Sequence, residues 1–85
     1  MEQTNAILEQ AARRYTGIIG RLSPKARRGY ILAATGETLP FHRNQVMGHS
    51  DPHPWRPRVG AKVLFDRELR PRGPWAVKVR PIGVV

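Results

Sequence analysis

The sequence predicts a small, mainly β domain: a closed barrel of five antiparallel strands, preceded by a short N-terminal α-helix. Two observations lead to this class. The 85 residues include eight Pro and eight Gly, which fit a turn-rich β domain better than a helical bundle. Five short segments rich in β-branched and aromatic residues are separated by turn signals. A chain this short would remove its exposed sheet edges by closing them into a barrel.

The helix is predicted within residues 1–14, because apolar side chains recur there at helical spacing, at Ile7, Leu8, Ala11, Ala12 and Tyr15. Thr4 is a suitable N-cap, and Arg13 and Arg14 suit the C-terminal end of the helix dipole. A helix of this length is marginal on its own. We therefore expect its apolar side to lie on the barrel, with a partner chain or a second copy as the alternative.

The barrel is predicted within residues 15–85, which carry the whole net charge. Pro40 lies in the third strand and lacks a backbone N–H, so it indicates an edge strand or a bulge. A loop containing Pro52, Pro54 and Pro57 follows before the fourth strand. The predicted strands cover residues 15–22, 29–34, 38–46, 61–68 and 75–80.

The charge indicates a polyanionic partner. Lys and Arg number 15 against 6 Asp and Glu, which gives a formal net charge of +9. Twelve of the basic residues are Arg, whose guanidinium binds phosphate in a fork and stacks on bases. These numbers favour nucleic acid as the partner, and a merely solvated basic surface is the alternative.

Other classes of protein fit the sequence poorly. The chain has no Cys, which excludes disulfides, a thiolate nucleophile and a Cys-based zinc site and is compatible with the cytoplasm. The sequence shows no membrane span and no signal peptide. His49, Asp51 and His53 have a metal-like spacing, but the surrounding prolines and the lack of further ligands favour no metal site. We expect no cofactor and no enzymatic activity.

Five blocks in the β part resemble the successive motifs of the bacterial cold-shock domain: Thr16-Gly-Ile-Ile19, Arg28-Gly-Tyr-Ile-Leu32, Leu39-Pro-Phe-His42, Val59-Gly-Ala-Lys-Val-Leu-Phe-Asp66 and Gly73-Pro-Trp-Ala-Val-Lys-Val79. Their order and spacing match over residues 16–82. The resemblance implies a five-stranded OB-fold barrel that binds single-stranded RNA or DNA. It divides the chain into an N-terminal helical extension, residues 1–14, and a cold-shock-like domain, residues 15–85.

The aromatic platform with which that family stacks on bases is reduced here. Gly20, Arg21 and Leu22 stand where the family has Lys-Trp-Phe, and Leu32 replaces the second aromatic of the second strand. Beside His42, Pro40 and Arg43 replace two further aromatics. The resemblance therefore implies a nucleic-acid binder that depends on charge more than on stacking.

The candidate nucleic-acid-binding residues are Arg21, Arg28, Tyr30, Leu32, Phe41, His42, Arg43 and Trp55. Tyr30 would stack on a base, and a half-buried strand aromatic is the alternative. His42 would stack on or hydrogen-bond to a base, or lie on the strand without either role. Phe41 reaches the surface if Pro40 makes a bulge and otherwise lies in the core. Trp55 would stack on a base or pack its loop onto the barrel. The arginines would contact the strand or form a solvated basic face.

The predicted function is binding of single-stranded nucleic acid, RNA favoured over DNA, in a basic groove with a reduced aromatic platform. By resemblance, the role would be that of an RNA chaperone or a regulator of transcription or translation. The alternative is a protein–protein interaction module that kept the barrel and lost nucleic-acid binding. A third and weaker interpretation is charge-driven binding of duplex DNA.

Overall fold

The alternation of apolar and polar side chains along the chain produces five antiparallel strands in one sheet. The computed structural model describes residues 15–82. The predicted helix of residues 1–14 lies outside these described residues. The sheet has the order β3-β2-β1-β4-β5. Its strands are β1 (Tyr15–Ser23), β2 (Arg28–Ala33), β3 (Thr38–His42), β4 (Lys62–Arg70) and β5 (Gly73–Pro81). The mainly β class and the five antiparallel strands are confirmed.

The core lies on one side of the sheet. In β2 every second residue is buried, so Gly29, Ile31 and Ala33 face inward while Arg28, Tyr30 and Leu32 stay exposed. The largest fully buried side chains are Phe41, Phe65, Ile19, Ile31, Leu39, Val46, Val63 and Val79. The core is entirely apolar, because none of the described polar or charged residues is buried.

The prediction of a closed barrel is wrong, because the sheet is not closed. Among residues 15–82, no ladder joins the edge strands β3 and β5, and one isolated parallel bridge links Val46, which lies beyond the end of β3, to Val79 of β5. The predicted third strand of residues 38–46 ends early, at His42, because residues 43–45 form a turn of 3-10 helix. Pro40 has no N–H to donate to a neighbouring strand. The prediction that Pro40 marks an edge strand is confirmed, since β3 is an edge of the sheet.

One ion pair joins the β2–β3 turn to β4. Arg67 donates two hydrogen bonds to Glu37, from Nε to Oε1 at 3.2 Å and from Nη2 to Oε2 at 3.0 Å. The hydrogen bond from Arg67 lowers the pKa of Glu37 below its ordinary value of 4.5, although partial desolvation opposes the shift. A bidentate fork of this kind is the strongest geometry for a surface pair.

We expect this pair to make a small, pH-dependent contribution to stability. Because the folded pKa of Glu37 is depressed, the contribution is complete above the ordinary pKa and is lost as pH falls through the folded pKa. Urea unfolding of the wild type and of Glu37→Gln should therefore differ at neutral pH, and the difference should shrink as pH falls below 4.5. A difference that stays constant down to strong acid would contradict this role.

Candidate nucleic-acid interface

The exposed side of β1, β2 and β3 brings most of the predicted residues together. Residues directly opposite each other in an antiparallel ladder share a face of the sheet. Arg21 pairs with Tyr30, and Tyr30 in turn pairs with Pro40. The neighbouring rows pair Arg28 with His42 and Ile18 with Leu32. We call this surface the outer face; it is formed by Ile18, Arg21, Arg28, Tyr30, Leu32 and His42.

A bulge in β1 places Arg21 on the outer face. Gly17 and Ile19 are buried, so strict alternation would direct Arg21 into the core. Instead Ile19 pairs with Ile31 and Arg21 with Tyr30, which leaves Gly20 as the extra residue. Burial of a guanidinium without a partner is costly, and the bulge avoids that cost by keeping Arg21 exposed.

The centre of the outer face is apolar. Tyr30 is 40% exposed, Ile18 44% and Leu32 52%, which is high for large apolar residues in a sheet. The Leu32 side chain lies over Gly20, because a Cβ added at Gly20 would be 3.1 Å from Leu32 Cγ. An exposed ring next to two aliphatic side chains provides a surface on which flat, partly apolar groups such as bases can lie.

His42 lies half-buried at the border of this face. Its Nδ1 accepts a hydrogen bond from the Asn44 backbone N–H at 3.2 Å, which caps the 3-10 turn. In the neutral ring the proton is therefore assigned to Nε2. This arrangement gives His42 a structural role at the end of β3 and leaves Nε2 as a donor towards a ligand.

One of the predicted site residues, Phe41, is corrected by its position. Phe41 is 1% exposed and belongs to the core, because Pro40 pairs with Tyr30 without turning Phe41 outward. Its ring therefore cannot stack on a base at the outer face, although it contributes to the lining of the cleft described below. Trp55 is half-buried and packs against the core, as the alternative interpretation of loop packing expected.

A basic cleft lies at one end of the sheet, where the β1–β2 turn, the end of β3 and the long loop meet. We call it the arginine cleft; its volume is about 270 Å³. Four arginines line it, Arg27, Arg28, Arg43 and Arg56, whereas none of the Asp or Glu residues between positions 15 and 82 does. A second hollow, whose lining includes Arg21, Arg28 and Tyr30, adjoins it. Because Arg28 lines both, the arginine cleft continues from the outer face.

The acidic residues of the described segment lie outside the arginine cleft: Glu37 in the β2–β3 turn, Asp51 in the long loop, and Asp66 and Glu68 on β4. Glu37 pairs with Arg67 and Glu68 with Arg70, while Asp66 lies within 4.0 Å of both Lys78 and Arg80. Within residues 15–82, the arginines of the outer face and of the cleft make no ion pair: Arg21, Arg27, Arg28, Arg43 and Arg56. Of the nine Lys and Arg side chains in residues 15–82 that make no ion pair within that segment, five thus lie on the outer face or in the cleft, where they would attract an anion. The other four are Lys25, Arg58, Lys62 and Arg72.

The structure places five of the eight predicted residues on the outer face and Arg43 in the cleft, while Phe41 and Trp55 contribute to packing. Three residues of the outer face and the cleft, Ile18, Arg27 and Arg56, are not among the eight predicted from the sequence. Ile18 could have been found from strand alternation, since it lies two positions from Gly20 on the exposed side. Arg56 carries no such signal, because its place depends on how a Pro-rich loop folds back.

Comparison of the chain with protein-family models and with curated proteins finds no match. The described segment, residues 15–82, contains no group of three His, Asp or Glu side chains placed to hold a metal ion. It also contains no helix with the length and apolarity that crossing a membrane requires.

Proposed function

We propose that this protein binds single-stranded nucleic acid, RNA in preference to DNA, on the outer face of β1–β3, and that it catalyses no reaction. The observation that carries the proposal is the position of Tyr30. Its exposed ring lies between Arg21 on the neighbouring strand and Arg28 two residues earlier, and neither arginine has a carboxylate partner within residues 15–82. A ring flanked by free guanidiniums is suited to a base with its phosphates.

The binding mechanism combines limited stacking with strong charge attraction. Stacking of a base on an aromatic side chain is worth roughly 1–3 kcal/mol. Tyr30 supplies one such ring, and Leu32 and Ile18 extend the apolar surface beside it without the gain of a π-system. The remaining affinity would come from phosphates that replace their counterions with guanidinium groups. The affinity should therefore depend little on the base sequence of the strand and strongly on the salt concentration.

We further propose that the chain is a degenerate cold-shock-like domain with a partly open OB-type barrel. The strand order β3-β2-β1-β4-β5 supports this assignment, as does the parallel bridge between Val46, which lies shortly after β3, and Val79 in β5. OB folds are partly open barrels that bind oligonucleotides on strands two and three. The role would be that of an RNA chaperone or of a regulator of transcription or translation.

Substitution of Tyr30 tests the stacking part of the proposal. Tyr30→Ala should weaken binding of a single strand of about eight nucleotides by roughly tenfold, because it removes the ring. Tyr30→Phe keeps the ring and should bind within about twofold of the wild type. Anisotropy of a labelled strand measures both affinities, and circular dichroism checks the fold. Equal affinity of Tyr30→Ala and wild type would exclude stacking at this position.

A second candidate function is protein binding, favoured by the exposed aliphatic side chains of Ile18 and Leu32. The sheet would then dock on an acidic protein surface or on a second copy of the chain. Competition between a single strand and a duplex at fixed salt, with the protein alone as the reference for its mass, separates nucleic-acid binding from protein binding. Equal and weak binding of every polyanion, or a dimeric mass in sedimentation that no strand alters, would favour the protein-binding function.

A further inference from the structure

The arginine cleft combines a basic rim with an apolar floor. The rim is supplied by Arg27, Arg28, Arg43 and Arg56, and the floor includes Leu22, Pro57 and the buried Phe41. Its volume of about 270 Å³ is close to the lower end of the range for small-molecule sites, roughly 300–1,000 Å³. A cleft of this size accepts one nucleotide unit, but a duplex is too wide to enter it.

The cleft is held together by backbone contacts. The Arg43 N–H donates to the Arg27 carbonyl at 2.8 Å, which joins the end of β3 to the β1–β2 turn. Arg27 also adopts a left-handed conformation with φ of 53°, where Gly or Asn is the usual residue. The chain therefore carries a guanidinium at a position whose backbone geometry favours Gly, and strain of this kind clusters at binding sites.

We propose that the arginine cleft is a nucleotide subsite, which holds the phosphate of a strand as it leaves the outer face past Arg28. The inference rests on the proposed function and adds a direction to it: the strand runs from Tyr30 across Arg28 to the cleft. Arg28 lines both the hollow beside Tyr30 and the cleft, so the two surfaces form one continuous path. The apolar floor would contact the sugar and base, while the guanidiniums bind phosphate in forks.

Arg56 and Arg58 provide a matched test, because they flank Pro57 in the same loop. Arg56 lines the cleft, whereas Arg58 does not. On a single strand, each neutralised phosphate contributes about 0.7 to the slope of log affinity against log salt. Arg56→Ala should lower that slope by about 0.7 and weaken binding about fivefold at low salt, and Arg58→Ala should change both much less. Equal effects of the two variants would overturn the subsite.

Arg27→Gly tests the cleft without disturbing the fold. Gly adopts the left-handed region without steric cost, so the variant should melt at the wild-type temperature or above it. The slope should again fall by about 0.7. Lys78→Gly is the control, because Lys78 has a φ of 52° and lies in β5, outside the cleft. If Arg27→Gly and Lys78→Gly had the same effect on binding, the subsite would again be excluded.

Two further measurements separate failure of the subsite from failure of the proposed function. If the wild type binds the strand but all four variants behave alike, the function stands and the subsite fails. If the wild type binds no strand, the proposed function and the strand-bound subsite both fail. A titration with inorganic pyrophosphate, monitored by the NMR shifts of backbone amides around Arg43, then shows whether the cleft binds anions. Displacement of the strand by polyglutamate at equal charge concentration would instead assign the cleft to an acidic protein.

Discussion

A tenfold rise in salt concentration is expected to weaken binding of a single strand by about 3,000-fold. Five arginines on the outer face and in the cleft have no carboxylate partner within residues 15–82: Arg21, Arg27, Arg28, Arg43 and Arg56. If each neutralises one phosphate, the slope of log affinity against log salt is about −3.5, at roughly 0.7 per phosphate on a single strand. Anisotropy titrations at four or more salt concentrations measure the slope directly.

The arginines that already have partners supply the control. Arg70 donates from Nε to Glu68 Oε1 at 2.7 Å and lies over the Trp75 ring at 4.7 Å from its centroid. Because its charge is offset locally, Arg70→Gln should leave the slope nearly unchanged, while loss of an unpaired arginine should lower it by about 0.7. A wild-type slope of only about −1 would show that the distribution of charge does not direct binding. An equal decrease in the magnitude of the slope for Arg70→Gln and Arg28→Gln would show the same.

Local patterns in the sequence were enough to predict the strands. Alternation in Arg28–Ala33 fixes which side chains are buried, and it correctly leaves Tyr30 and Leu32 exposed. Pro40 is compatible with an edge strand or a bulge, and β3 is an edge of the sheet. These inferences depend on neighbours within a few residues, where steric and hydrogen-bonding rules are strong.

Features that depend on distant parts of the chain could not be predicted in the same way. The bulge at Gly20 follows from pairing with β2, and it reverses the face on which Arg21 would otherwise lie. The extent of closure depends on where β3 ends, and the 3-10 turn at Arg43–Gln45 ends it early. The arginine cleft needs Arg56 to meet Arg27 across almost thirty residues of chain, and no spacing rule predicts such a contact.

Gly29→Ala is expected to cause a large loss of stability, comparable with that of Gly17→Ala, because a Cβ at either position would overlap its neighbours. An added Cβ would lie 2.6 Å from the Arg21 carbonyl oxygen, 2.8 Å from Phe41 Cε1 and 2.9 Å from Leu22 Cδ2. Neither the ladder between β1 and β2 nor the buried Phe41 ring can yield without loss of packing. Overpacking of this kind costs about 3 kcal/mol in the free energy of unfolding, measurable by urea denaturation.

Gly20→Ala is the matched control, since it adds the same methyl to the neighbouring strand. There the nearest atoms, at 3.1–3.8 Å, all belong to the flexible Leu32 side chain, which can rotate away. We expect a cost below about 1 kcal/mol. Gly29 stands between Arg28 and Tyr30, so its lack of a side chain lets Phe41 fill the core directly beneath the outer face. If Gly29→Ala were as stable as Gly20→Ala, Phe41 would not be locked in the core, and its exclusion from the binding surface would have to be withdrawn.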